Sequence, residues 1–246
     1  MSTASSGNNV TARERIAALP YLKAGLLYLV LAAGGVWHVL GMFQTIMRIT
    51  AAPVIIGLGI WLFAEHLRRL SVQEFIGQPG TTAASSGIFI QWGLITILGS
   101  IFLEWLGVKT GVIFGEYAYG ETLPPFIDSV PLAIGFAWLG MLLASAAISQ
   151  RLLGDWFFEQ AIFSSLIIAG FMTVFDVFME PAAVALNYWS WSGETVPVQN
   201  YIAWFLISFF FAWLAIRLKV FRVKIPALAF HAYLAQLLYF VLIYFK

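Results

Sequence analysis

Asp176 and Glu180 stand four residues apart in "FDVFMEP", at the end of a long apolar run, and Glu104 stands in "FLEWLG" near the end of another. On a helix, four residues make one turn, so the first two carboxyls share a face. Pro181 is expected to mark the helix end. A carboxylate in a lipid setting is costly, about 2.5–3.5 kcal/mol at the centre of a span and less near its ends. Two readings compete. In one, the acids are solvated caps in the headgroup region, partnered by Lys109. In the other they form a pocket where neighbouring carboxylates and low dielectric keep one acid neutral at physiological pH, ready to donate a proton. Trp105, Tyr117, Tyr119, Tyr188, Trp189 and Trp191 surround these acids in sequence. Such residues belong at bilayer interfaces in any case, but their π faces also stabilise a cation formed in a dry site.

The elements that must position these groups are membrane helices. Of 246 residues 61% are hydrophobic and only 10% charged, so the chain is read as an integral membrane protein. A span needs about 20 mostly apolar residues, and seven such stretches occur, at 22–42, 52–67, 88–107, 130–150, 156–179, 198–217 and 226–244. The fold class expected is therefore all-α, a polytopic helix bundle forming one domain over 21–246 after a disordered tail over 1–20. The first stretch is too long and lacks a clear small-residue cleavage site, so it reads as a retained anchor. Gly34, Gly35, Gly57 and Gly59 are expected at close helix contacts.

Basic residues set the expected orientation. Arg13, Arg15, Lys23, Arg68, Arg69, Arg151, Arg217, Lys219, Arg222 and Lys224, ten of the 13, fall on the N-terminal side, against Arg48, Lys109 and Lys246 on the other. The N-terminus is thus placed in the cytoplasm. The loop "GVIFGEYAYGETLPPF", with Glu116 and Glu121, then shares the extracytoplasmic face with the loop after Glu180.

Several activities lack their residues. With no cysteine there are neither disulfides nor thiolate metal sites. His38, His66 and His231 are too far apart in sequence for the histidine clusters of a membrane di-iron enzyme. No GxGxxG fingerprint follows a strand, so a flavin or nicotinamide site has no support. The last span has no lysine for a retinal Schiff base. "DVFME" imitates the Asp-rich motif of a prenyltransferase only weakly, and on the wrong face. No metal, no cofactor and no nucleic-acid partner is expected, the net charge of +1 saying nothing about the last; the partners expected are the lipid bilayer and a lipid-soluble substrate.

"GVKTGVIFGEYAYGETLPPFIDSVPLAIGFAW" combines an acid-tipped helix, a TG-x-x-FG-x-Y-x-Y loop and a VPL helix start with a Trp inside the helix. "FDVFMEPAAVALNYWSW" followed by "VPVQNYIAWF" combines an Asp-x-x-x-acid-Pro segment, a W-x-W pair and a VP-x-x-N-aromatic helix start. Together, over about Gly87 to Trp213, they resemble the membrane carotenoid biosynthesis family that includes the carotenoid 1,2-hydratases of the γ-carotene 1'-hydroxylase and bisanhydrobacterioruberin hydratase type. One departure is Glu180, where that pattern more often has Asp. The resemblance implies a cofactor-independent enzyme that adds water across the terminal C1–C2 double bond of an acyclic carotenoid end. Markovnikov hydration needs an acid to protonate C2, a tertiary cation at C1 and water to capture it. On this reading Asp176 is the proton donor, and Glu104 and Glu180 tune it or orient the water. Tyr117, Tyr119, Trp189 and Trp191 line the substrate pocket, with Glu116 and Asn200 as further substrate-binding residues. A carotenoid cyclase shares the protonation step and is the nearer rival. A carotenoid or lipid binder, in which the acids are caps, is the other.

Overall fold

The computed structural model describes residues 12–76, 85–193 and 195–245. Among them seven helices are long and apolar enough to cross a membrane: α1 (Ala12–Val39, apolar from Pro20), α2 (Gln44–Ile76), α3 (Ser86–Thr110), α4 (Leu132–Leu153), α6 (Ala161–Ala185), α7 (Val198–Arg217) and α8 (Ala227–Tyr244). A single turn, α5 (Trp156–Glu159), precedes α6. The chain is a multi-pass membrane protein. Large apolar side chains such as Leu29, Leu98, Phe102, Phe163 and Phe210 point outward, as they do where lipid rather than water is the solvent.

Helix limits differ from those expected at three places. Helix α1 starts at Ala12, inside the stretch expected as a tail, while residues 1–11 lie outside the described residues. Helix α3 runs on to Thr110, where Gly111 closes it in the left-handed conformation at φ 66°, so Glu104 is nearly two turns from the end. Helix α6 does not stop at Pro181 but continues to Ala185. Proline forfeits one backbone bond, at a cost of about 3 kcal/mol in a helix interior. In a membrane an unwound chain would expose many more unpaired groups, so continuing the helix is the cheaper course. Asp176 therefore sits more than two turns inside α6.

Helix α4 is the hub. Of its most apolar stretch 78% is buried, against 17% for α1, and it packs on α2, α3, α6 and α8. Its run of Ala144, Ser145, Ala146 and Ala147 lets neighbouring backbones come close. The closest approach is at Gly59 of α2, where an added Cβ would lie 2.6 Å from the Phe136 carbonyl oxygen. Gly34 and Gly35 lie against Tyr239 and Leu242 of α8, whereas Gly57 faces open space and makes no close contact, contrary to expectation. The remaining strong pairs are α6 with α7 and α1 with α8; α1 and α2 scarcely touch.

Because successive spans reverse direction, the ends of α3 and α6 and the starts of α4 and α7 meet at one end of the bundle. There the loops form two short ribbons. β1 (Tyr117–Tyr119) pairs antiparallel with β4 (Trp189–Trp191), and β2 (Phe126–Ile127) pairs with β3 (Val130–Pro131). At the opposite end Gln150 of α4 pins the α7–α8 connection, donating to the Phe221 carbonyl at 3.0 Å and accepting from the Ile225 N–H at 2.8 Å. Lys23 pairs with Glu65 there, joining α1 to α2.

Candidate active site

The β1–β4 ribbon is what brings the aromatic residues together. Its register sets Tyr117 opposite Trp191 and Tyr119 opposite Trp189. Side chains alternate along a strand, so these four share the face turned towards the helices. Alternation also sets the place of Glu116. It lies on the opposite face with Ala118, exposed, and its backbone carbonyl accepts from the Ser192 N–H at 2.9 Å. It is not among the described residues that line the cavity.

Beneath the ribbon lies a cavity of about 80 Å³. Glu104 forms one wall, 5% exposed. Its Oε2 accepts from the hydroxyls of Tyr117 at 2.6 Å and Tyr119 at 2.8 Å, and its Oε1 from the indole N–H of Trp138 at 3.0 Å. Glu180 forms the other wall, 2% exposed. Its Oε2 accepts from the indole N–H groups of both Trp189, at 2.9 Å, and Trp191, at 2.9 Å. Each strand thus holds one carboxylate, β1 through two phenols and β4 through two indoles.

Asp176 is wholly buried one turn below Glu180. It stands behind the cavity wall rather than in it. Asn200, at the start of α7, reaches between them: its amide N–H group donates to Asp176 Oδ2 at 2.7 Å and to Glu180 Oε1 at 3.4 Å. Asp176 Oδ1 accepts no hydrogen bond among the described residues. Of the three acids it is the one with an oxygen that accepts no bond at all among the described residues.

The cavity has an electrostatic bias. Among the described residues that line it there are two carboxyl side chains, many aromatic faces and no Lys, Arg or His. Burial, and then the Glu104 charge, push the Tyr117 and Tyr119 phenols well above their ordinary range, so both stay protonated donors. Lys109 does not serve these acids. It pairs with Asp128 at 2.8 Å on the rim, where Trp105 also donates to Asp128 at 2.9 Å; the Lys109 hydrogen bond first, then that of Trp105, holds the Asp128 carboxyl below its usual value. The partner expected for the three acids is thus taken by Asp128, and Glu104, Asp176 and Glu180 are buried rather than solvated. Trp105 belongs to the rim. Among the described residues no three His, Cys, Asp or Glu side chains are grouped to hold a metal ion.

Two wall residues escaped the sequence reading. Trp138 donates to Glu104, and Trp204 stacks on it with centroids 4.2 Å apart and planes at 22°. A signal existed for each. An indole in the middle of a helix that is apolar all round needs a buried acceptor, and Trp204 is one turn beyond Asn200 on α7.

The sequence over residues 76–245 matches the family described as carotenoid biosynthesis protein. The chain belongs to that family. A relative, bisanhydrobacterioruberin hydratase of Haloarcula japonica, is 31% identical over 113 residues, which are 44% of this chain and 38% of that protein. The chain thus matches well under half the length of this relative. No solved structure matches the chain. The family match begins at the end of α2 and takes in both ribbons, all three buried acids, Trp138 and Trp204, so the cavity wall apart from Ile55 of α2 is carried by the matched part of the chain.

Proposed function

We propose that the protein is a carotenoid hydratase that adds water across the terminal C1–C2 double bond of an acyclic carotenoid end. One observation carries this reading: two buried carboxyls, Glu104 and Glu180, line an aromatic cavity with no Lys, Arg or His among its described lining residues, the complement of a hydrophobic substrate that becomes positively charged as it reacts. The similarity to the Haloarcula bisanhydrobacterioruberin hydratase supports it.

In this mechanism the Asp176–Glu180 pair behaves as one acid. Asp176 stores the proton behind the wall, and Glu180 faces the double bond. Proton transfer to C2 leaves a tertiary cation at C1, held by the π faces of Trp189, Trp191, Trp138 and Trp204 and by the nearby carboxylate charge. Glu104, fixed by three donors, orients the water. As the water oxygen bonds to C1 it releases a proton, which returns to the acid pair. One water is consumed per end, and no electrons are exchanged.

The test is expression in cells that make lycopene or γ-carotene, grown in isotopically labelled water. A gain of one labelled water per processed end is the expected result. An isomer of unchanged mass would identify a cyclase instead, and pigment that binds without reacting would leave only a binder.

A further inference from the structure

The cavity is too small for its substrate. At about 80 Å³ it has roughly half the volume of the ~150 Å³ apolar cavity that admits a benzene. Only the branched tip of a polyene fits, and the rest must lie elsewhere.

A second hollow, about 160 Å³, lies between α1, α2 and α8. It meets the acid cavity at four shared residues: Ile55, Tyr188, Gln236 and Phe240. Its floor is apolar, and Gly34 and Ala51 keep it open where larger side chains would fill it. Its outer lips are Val30 and Trp37 on α1 and Ile46 and Val54 on α2, each at least 39% exposed towards lipid. The gap exists because α1 packs on α8 and α2 on α4, with little contact between α1 and α2.

We infer that this α1–α2 groove is the lateral access route and binding channel for the polyene chain, which slides in from the bilayer and passes between Ile55, Tyr188 and Phe240 to present its end to the acids. The inference rests on the proposed function for the identity of the occupant. It makes Gly34 and Ala51 determinants of substrate length rather than of chemistry. These two positions lie outside the acid cavity, so filling them blocks the long chain while leaving the reaction centre intact.

Two plugs from different helices test it, Gly34→Phe and Ala51→Phe, with Leu98→Phe on the outer face of α3 as control. Each is assayed on lycopene and on a short acyclic terpene hydrocarbon with the same trisubstituted end. The quantity read is the ratio of the two rates, because any loss of folded protein lowers both alike. Both plugs are expected to lower the long-to-short ratio at least about tenfold, and the control to leave it unchanged. A ratio unchanged in both plugs overturns the groove assignment. Should the parent protein hydrate neither substrate, the proposed function fails separately. Lycopene retained per protein on purification then decides the groove: it must fall in both plugs and not in the control, and equal retention in all overturns it.

Discussion

Asp176 accepts a hydrogen bond from Asn200 and lies beside Glu180, while its Oδ1 accepts no bond among the described residues. Asp176→Asn preserves that bond and the side-chain size but removes the acidic proton. Hydration is expected to fall at least about 100-fold, the lower range for general acid catalysis, while the protein still inserts and retains carotenoid. Glu104→Gln is predicted to act differently. Its amide N–H group must face either Trp138 or the tyrosine pair, all donors as they now stand, so the change costs stability as well as rate, about 1–3 kcal/mol for a buried donor left unpaired, read as a lower melting temperature in detergent. Tyr117 and Tyr119 give the pH dependence. Their phenols hold protons more tightly in the folded protein than in the unfolded chain, so the folded state binds the extra protons once pH exceeds about 10, the ordinary tyrosine value. Stability is complete below that pH and declines above it, and Tyr117→Phe should flatten the decline in a pH series of thermal melts.

The ribbon is the element on which the site depends, and its weak point is Gly120. Its N–H donates to the Tyr188 carbonyl at 2.9 Å, and an added Cβ would sit 2.3 Å from the Asn187 carbonyl oxygen. Gly120→Val is expected to force the two loops apart at an overpacking cost of about 1–3 kcal/mol and to abolish hydration. Ala118→Thr, on the outward face, should change activity less than about twofold. The elements also explain what was legible beforehand. An acid in an apolar run is conspicuous because hydrocarbon tolerates it only for a reason, so Glu104, Asp176 and Glu180 stood out, and tyrosines and tryptophans two apart stood out beside them. The outward direction of Glu116 was not legible because the strand that sets it forms only by pairing with a partner some seventy residues away, as Tyr117 does with Trp191. Trp138 was overlooked as a wall residue because nothing in the apolar run around it shows which way it faces. Pro181 misled because the rule that it ends helices assumes water is available to the freed carbonyl.

At the scale of the whole molecule, the bundle has a polar, ribbon-covered end and an opposite end that gathers ten of the 13 Lys and Arg residues. We propose that the basic end faces the cytoplasm. A reporter fused after Lys246 should then be active only outside the cytoplasm, and cytoplasmic activity would reverse the orientation and with it the placement of the acid cavity. Acid-driven hydration also makes a global prediction: chelators and removal of oxygen should leave product formation unchanged, with mass analysis of the pigments as the measurement. The seven spans were readable from composition because each satisfies its own backbone. Their lateral arrangement, including the gap between α1 and α2, was not, because pairings between helices depend on which small residues happen to meet.

The pairing of β1 with β4 also dictates a schedule for biogenesis. Tyr117 and Tyr119 leave the ribosome long before Trp189 and Trp191 exist, and two further spans, α4 and α6, must be threaded into the bilayer in between. Until the second strand arrives, Glu104 can have its phenols and Trp138, but Glu180 has no indoles, and Asp176 has no Asn200 until α7 begins. The acid pair therefore matures later than Glu104, and a nascent chain arrested between α6 and β4 would carry both carboxyls in the membrane without the donors that make them tolerable there.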